Sequence, residues 1–76
     1  MWKFLGTNTD ERMFLIDGIN VWAFQWQQAG PPITVRDPHY QEEHRMDVYQ
    51  VSDGNKTVRF AAGEFSNGVW GFYIPE

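Results

Sequence analysis

The chain has 76 residues, four Trp, three Tyr and six Phe, no cysteine, and ten acidic against six basic residues for a net charge of −4. Without cysteine, neither a disulfide framework nor a thiolate zinc site is open to it. A domain this short buries only about 60% of its unfolded surface, so dense aromatic packing, oligomerisation or a partner must supply the rest of its stability. The basic residues Lys3, Arg12, Arg36, Arg45, Lys56 and Arg59 are scattered, and non-specific binding to nucleic acid needs them clustered. The longest apolar run, Val69 to Ile74, is too short for a membrane-spanning helix. No basic-then-apolar leader opens the chain. The expectation is one β-rich domain over residues 1–76, complete from Met1, cytoplasmic, with no nucleic-acid or membrane partner and no cofactor.

Trp2 to Leu5 reads as a first strand, followed by a polar loop from Gly6 to Glu11. Asp17-Gly18 then lies between apolar runs, and Asp-Gly supplies the positive φ angles of a tight hairpin turn. Pairing Ile16 with Ile19 puts Phe14, Ile16, Ile19, Val21 and Ala23 on one face. Met13, Leu15, Trp22, Phe24 and Trp26 fall on the other, which is equally apolar. One face serves the core of a small sheet, and the second has to be covered by something else. Residues 19–29 also admit a helix, because Ile19, Trp22, Ala23 and Trp26 follow i, i+3, i+4, i+7 spacing and Gly30-Pro31-Pro32 resembles a helix stop. Val, Ile, Trp and Phe favour the strand.

Ile33 to Arg36 is a short strand after the Pro31-Pro32 break. Asp37-Pro38 has the form of an N-cap followed by proline at the first helical position, which predicts one or two helical turns within 38–45. The segments 46–52 and 56–62 flank Asp53-Gly54-Asn55. An even-length turn places Tyr49, Val51, Val58 and Phe60 on one face and Val48, Gln50, Thr57 and Arg59 on the other. Arg59 is then a cross-strand partner for Asp47 or Glu64. A third hairpin turns at Asn67-Gly68. Phe60 and Phe65 are five positions apart, so bringing both to one core calls for an extra residue, and a bulge near Ala62-Gly63 would supply it. The core would then hold Phe60, Phe65, Trp70, Phe72 and Ile74.

The fold class that follows is mainly β: a small antiparallel meander or open barrel of six to seven short strands, with a short helix near 38–45. The alternative is α+β with 19–29 helical. Residues 37–47 hold both histidines, and His39, Glu43 and His44 have side chains able to ligate a metal. Their spacing matches no strong metal motif, and a solvated polar segment is the plainer reading. Ser52 and Ser66 lie beside turns, which assigns them turn chemistry rather than nucleophilic roles. The sharpest functional signal is the apolar stripe of Trp22, Phe24 and Trp26 with Met13 and Leu15. Trp and Tyr are enriched at interface hot spots. The stripe points to a non-enzymatic module that binds a protein partner or a second copy of itself, with a homodimer expected. A small-molecule or glycan site on the same aromatics is the second reading.

Overall fold

The computed structural model describes residues 1–8, 13–38, 41–66 and 68–76. Among these it contains eight strands, β1 (Trp2–Asn8), β2 (Leu15–Ile16), β3 (Ile19–Asn20), β4 (Gln27–Gln28), β5 (Ile33–Arg36), β6 (Glu43–Ser52), β7 (Thr57–Ser66) and β8 (Val69–Pro75), and one 3-10 turn at Val21–Ala23. All pairings are antiparallel. The main sheet runs β1-β8-β7-β6-β4, with β5 also on β6, and β2 pairs with β3 in a separate hairpin. The mainly β expectation holds, with the strands in an open sheet rather than a closed barrel.

Long alternating segments build the centre. Along β7, Val58, Phe60 and Ala62 point to one side and Ala61, Gly63 and Phe65 to the other. Both sides are covered. The first core gathers Phe60, Phe72, Val51, Val58 and Ala62 from the sheet with Ile16, Ile19 and Val21 from the segment that follows β1. The second gathers Met46, Val48, Ala61 and Tyr73 with Val35 of β5, and Trp2, Phe4, Ile33 and Phe65 pack against it. Burying each such side chain contributes about 1.5–3 kcal/mol, enough for a short chain only because one sheet uses both faces.

This two-sided burial corrects several expectations. Val48 was expected among polar residues, yet it is buried in a second core with Val35, Met46, Ala61 and Tyr73. Phe65 does not join Phe60. Strand β7 stays regular through Ala62-Gly63, and the register shift falls between Glu64 and Ser66. Phe65 therefore serves the second core, stacked with Phe4 at 6.4 Å and with its ring over Gly71. Gly63 is small for a different reason than a bulge: the Met46 side chain occupies the place of its missing Cβ. A second irregularity lies in β1 between Phe4 and Gly6. Strand β1 also runs to Asn8, past the point where a loop was expected.

Neither reading of 19–29 holds over its whole length. The chain leaves the hairpin at Asn20, makes a single 3-10 turn and returns to extended backbone at Phe24. No helix forms at 41–45. Gln41 and Glu42 close the β5–β6 hairpin, and β6 already begins at Glu43. The local cap signal at Asp37-Pro38 loses to tertiary burial: Asp37 is fully buried, its N–H donates to the Glu42 carbonyl at 2.7 Å, and its carbonyl accepts from the Gln41 N–H. His39 lies outside the described residues.

The hairpin turns are where local sequence dictated most. Ile16 pairs with Ile19, with Asp17 and Gly18 both at positive φ, 52° and 82°. That is the geometry of a two-residue primed turn, which Asp-Gly tolerates. The 53–56 loop has an even four residues between Ser52 and Thr57, and it sets Tyr49 opposite Phe60 and Val51 opposite Val58. The Asp53 carboxylate accepts from the N–H groups of Asn55 and Lys56 at 2.8 and 2.9 Å. Glu64 is no partner of Arg59: its carboxylate accepts from the Gly68 N–H at 2.9 Å and braces the third turn. Arg59 instead lies opposite Gln50 and reaches toward Gly30.

Two predictions follow from this packing. Gly71→Ala drives a methyl into the Phe65 ring and lowers unfolding free energy by about 1–3 kcal/mol in urea titrations. Adding Phe65→Ala makes the loss less than the sum of the two single changes. Backbone hydrogen bonds from Lys56 and Asn55 hold the Asp53 pKa below its ordinary value. Its contribution to the turn is therefore present above the unfolded Asp value and lost as pH falls through the lowered one. The protection factors of the Asn55 and Lys56 amides, taken against their intrinsic exchange rates at each pH, fall over that acid range, and Asp53→Ala abolishes the fall.

Candidate functional site

The segment from Met13 to Trp26 covers one face of the sheet. Asn20 holds it in shape. Its side-chain oxygen accepts from the Phe14 N–H at 3.1 Å and the Trp22 N–H at 3.2 Å, while the Val21 N–H donates to the Phe14 carbonyl at 3.0 Å. The 3-10 turn then swings the two indoles inward. Trp26 packs edge-on against Phe60 at 5.0 Å and Trp70 at 5.9 Å, and its Nε1–H donates to the Val21 carbonyl at 2.7 Å. Trp22 lies 4.7 Å from Trp26 and meets Trp70 edge to face at 5.6 Å. Phe14 stacks on Phe72 at 4.3 Å.

The expected stripe is therefore split. A continuous strand would keep Trp22, Phe24 and Trp26 on one line, but the turn at Val21–Ala23 breaks that line. Trp22 and Trp26 are half-buried against the first core. Phe24 remains exposed, apart from the others and beside Gln27, Gln50 and Thr57. Met13 and Leu15 also remain exposed, at 58% and 60% of their surface.

Leu15 has apolar company. It lines an open groove of about 470 Å³ together with Leu5 of β1, Ile16, Val58, Ile74 and Pro75, and the charged Asp17 and Arg59. Leu5 sits where the β1–β8 register shifts, and such an irregularity re-aims a strand residue. Asp17, at the end of the groove, meets Lys56 at 3.4 Å, an exposed pair that fixes the hairpin tip and adds little energy. The Asn8 amide donates to the Met13 carbonyl at 2.8 Å and ties the segment to β1. The groove was not foreseen from sequence. Leu5 and Ile74 belong to strands distant in the chain, and only the β1–β8 pairing brings them beside Leu15.

A second cluster lies near the start of β6. His44 Nε2 is 3.4 Å from the buried Asp37 Oδ2, and the His44 ring lies 4.7 Å from that of Phe65. The Tyr73 hydroxyl donates to the Arg36 carbonyl at 3.3 Å. Burial, and then the negative charge of Asp37, raise the Tyr73 pKa above its ordinary value. Glu43 is exposed while His44 turns inward, because adjacent strand residues face opposite sides. Among the described residues no three His, Cys, Asp or Glu side chains converge as metal ligands do. Among the same residues no helix is long and apolar enough to cross a membrane, which says nothing of β-barrels.

The inward turn of Trp26 makes it a packing residue. Trp26→Ala lowers unfolding free energy by about 3 kcal/mol in urea titrations. Asn20→Ala leaves two N–H groups without their acceptor and costs about 1–2 kcal/mol.

The chain matches no family model, no curated protein and no solved structure.

Proposed function

We propose that this chain is a module that works by binding protein, and that the groove between Leu5 and Leu15, extended by Met13, is its contact surface. The observation that supports this is the exposure of Leu15 and Leu5 on one largely apolar groove, with Met13 exposed two residues before Leu15. Scattered exposed leucines need no explanation, but a shared apolar groove is the form that recognition sites take. Phe24 belongs to a separate patch, and Trp22 and Trp26 act from beneath by fixing the segment that carries Leu15.

A second copy of the chain is the first partner to test. A stable interface needs about 800 Å² from each partner. That is a large share of the 5000 Å² total surface. A homodimer must therefore use the flanks of β1 and the β2–β3 hairpin together with the groove.

Light scattering over a hundredfold concentration range tests the proposal. The expected result is a concentration-dependent rise to twice the monomer mass. Leu15→Glu weakens it at least tenfold, with unfolding free energy shifted by no more than about 0.5 kcal/mol because the side chain is exposed. A monomer at every concentration removes self-association and leaves a foreign protein as the partner. Association unchanged by both Leu15→Glu and Met13→Glu places the contact elsewhere and overturns the site.

A further inference from the structure

We infer that the cleft between β1 and β5 is a strand-insertion site, which takes an extended peptide segment carrying an apolar side chain and a carboxylate. This is a different surface from the Leu5–Leu15 groove and stands independently of it.

The argument starts from the hydrogen-bond phase of the two strands. In an antiparallel pair, directly opposed residues alternate between those that bond to each other and those whose N–H and C=O point away from the partner. The Asp37 N–H donates to the Glu42 carbonyl. Stepping back by two along the β5–β6 register makes Val35 and His44 a bonded pair as well. Thr34 and Arg36 fall between, so their N–H and C=O point outward from β6. The Tyr73 hydroxyl confirms the phase by reaching the Arg36 carbonyl from outside the β5–β6 pair. On β1, the Glu76 N–H donates to the Met1 carbonyl, which makes Lys3 and Ile74 the next bonded pair. Trp2 falls between them and faces outward, and its opposite residue, Pro75, has no N–H to give. Among the described residues β1 pairs only with β8 and β5 only with β6.

These two outward edges border one cleft of about 330 Å³. Met1 and Trp2 line it from the start of the chain, Thr34, Val35 and Arg36 from β5, and Tyr73 from β8. Sheet edges left open in this way pair with added strands. A segment lying in the cleft has the Trp2 and Thr34 backbone groups to bond to, one on each side.

The side chains select the occupant. Trp2, half-buried beside the core residues Val35 and Tyr73, offers the apolar surface, which suits an aliphatic or aromatic residue. Arg36 is the charged side chain that lines the cleft. It is exposed, and it forms no ion pair among the described residues, although Glu43 lies opposite it in the register. In a chain of net charge −4, an unpaired guanidinium beside an open edge favours a carboxylate, which it can grip with two N–H groups. The occupant is thus a short extended peptide, with an apolar residue on the Trp2 side and, at a neighbouring position turned to the opposite face, an Asp or Glu for Arg36.

The test is selection from a phage-displayed random dodecapeptide library on the immobilised full chain. The selected peptides are then synthesised and titrated in solution. The expected result is enrichment of proline-free sequences that carry an apolar and an acidic residue at adjacent positions, which face opposite sides of an extended segment. Their binding falls about tenfold or more on Arg36→Glu. Thr34→Pro removes only the outward N–H, leaves the β5–β6 ladder bonds intact, and weakens binding as well. Bound peptide shifts the Trp2 and Thr34 amide resonances and slows their exchange, while Leu15→Glu leaves the affinity unchanged. Circular dichroism of each variant establishes that it is folded. Failure to enrich any sequence above an empty support overturns the inference. So does enrichment of peptides whose binding ignores Arg36→Glu and Thr34→Pro. Peptides whose binding is lost with Leu15→Glu belong to the groove, which supports the proposed function and refutes insertion at β1–β5.

Discussion

The whole architecture depends on one sheet being apolar on both faces. Strand β7 makes the constraint plain: Phe60 and Ala62 feed one core, while Ala61 and Phe65 feed the other. Neither face can be left to water in a chain of this size. The Met13–Trp26 segment covers one, and on the other Val35 of β5 joins the core while Trp2, Phe4, Ile33 and Phe65 pack against it. Small residues make room for these covers. Gly63 yields its place to Met46 and Gly71 yields to the Phe65 ring, so the second core packs close to the backbone.

The same constraint explains where the open surfaces lie. A cover made from a short hairpin and one 3-10 turn does not reach the end of the sheet, and the Leu5–Leu15 groove is what it leaves bare. On the other side, β5 pairs with β6 and not with β1, and the cleft beside Trp2 is bordered by both. Both candidate binding surfaces are thus places where a small chain runs short of covering material. That links stability to recognition, because an occupant at either place buries surface the chain cannot bury alone.

The parts legible in the sequence were those fixed by neighbours in the chain. Asp17-Gly18 set the pairing of Ile16 with Ile19, and Ile33–Arg36 and the Tyr49–Phe60 register were readable from alternation and turn length. What failed were inferences that assumed a single core. A single core calls for a bulge to bring Phe65 to Phe60 and leaves Val48 on the face of Gln50, Thr57 and Arg59, because nothing local announces that a second face will be covered. The cap signal at Asp37-Pro38 was genuine local chemistry, overridden when Asp37 was buried against His44. At the candidate site, Leu15 and Met13 were legible as uncovered apolar residues. Trp22 and Trp26 were misplaced because a three-residue turn redirects them, and Leu5 was missed because its role arises only from the pairing of the two ends of the chain.

The indole cluster also has an optical consequence. Trp22, Trp26 and Trp70 lie within 6 Å of one another, ring centre to ring centre. Chromophores this close exchange excitation and split their absorption, so the near-ultraviolet circular dichroism of the folded chain carries a signature of their mutual orientation. Trp2, packed against the other core, stands outside that group. The molecule thus holds two separate natural probes, one for the seating of the Met13–Trp26 segment and one for the edge of β1, and no label need be attached to observe either.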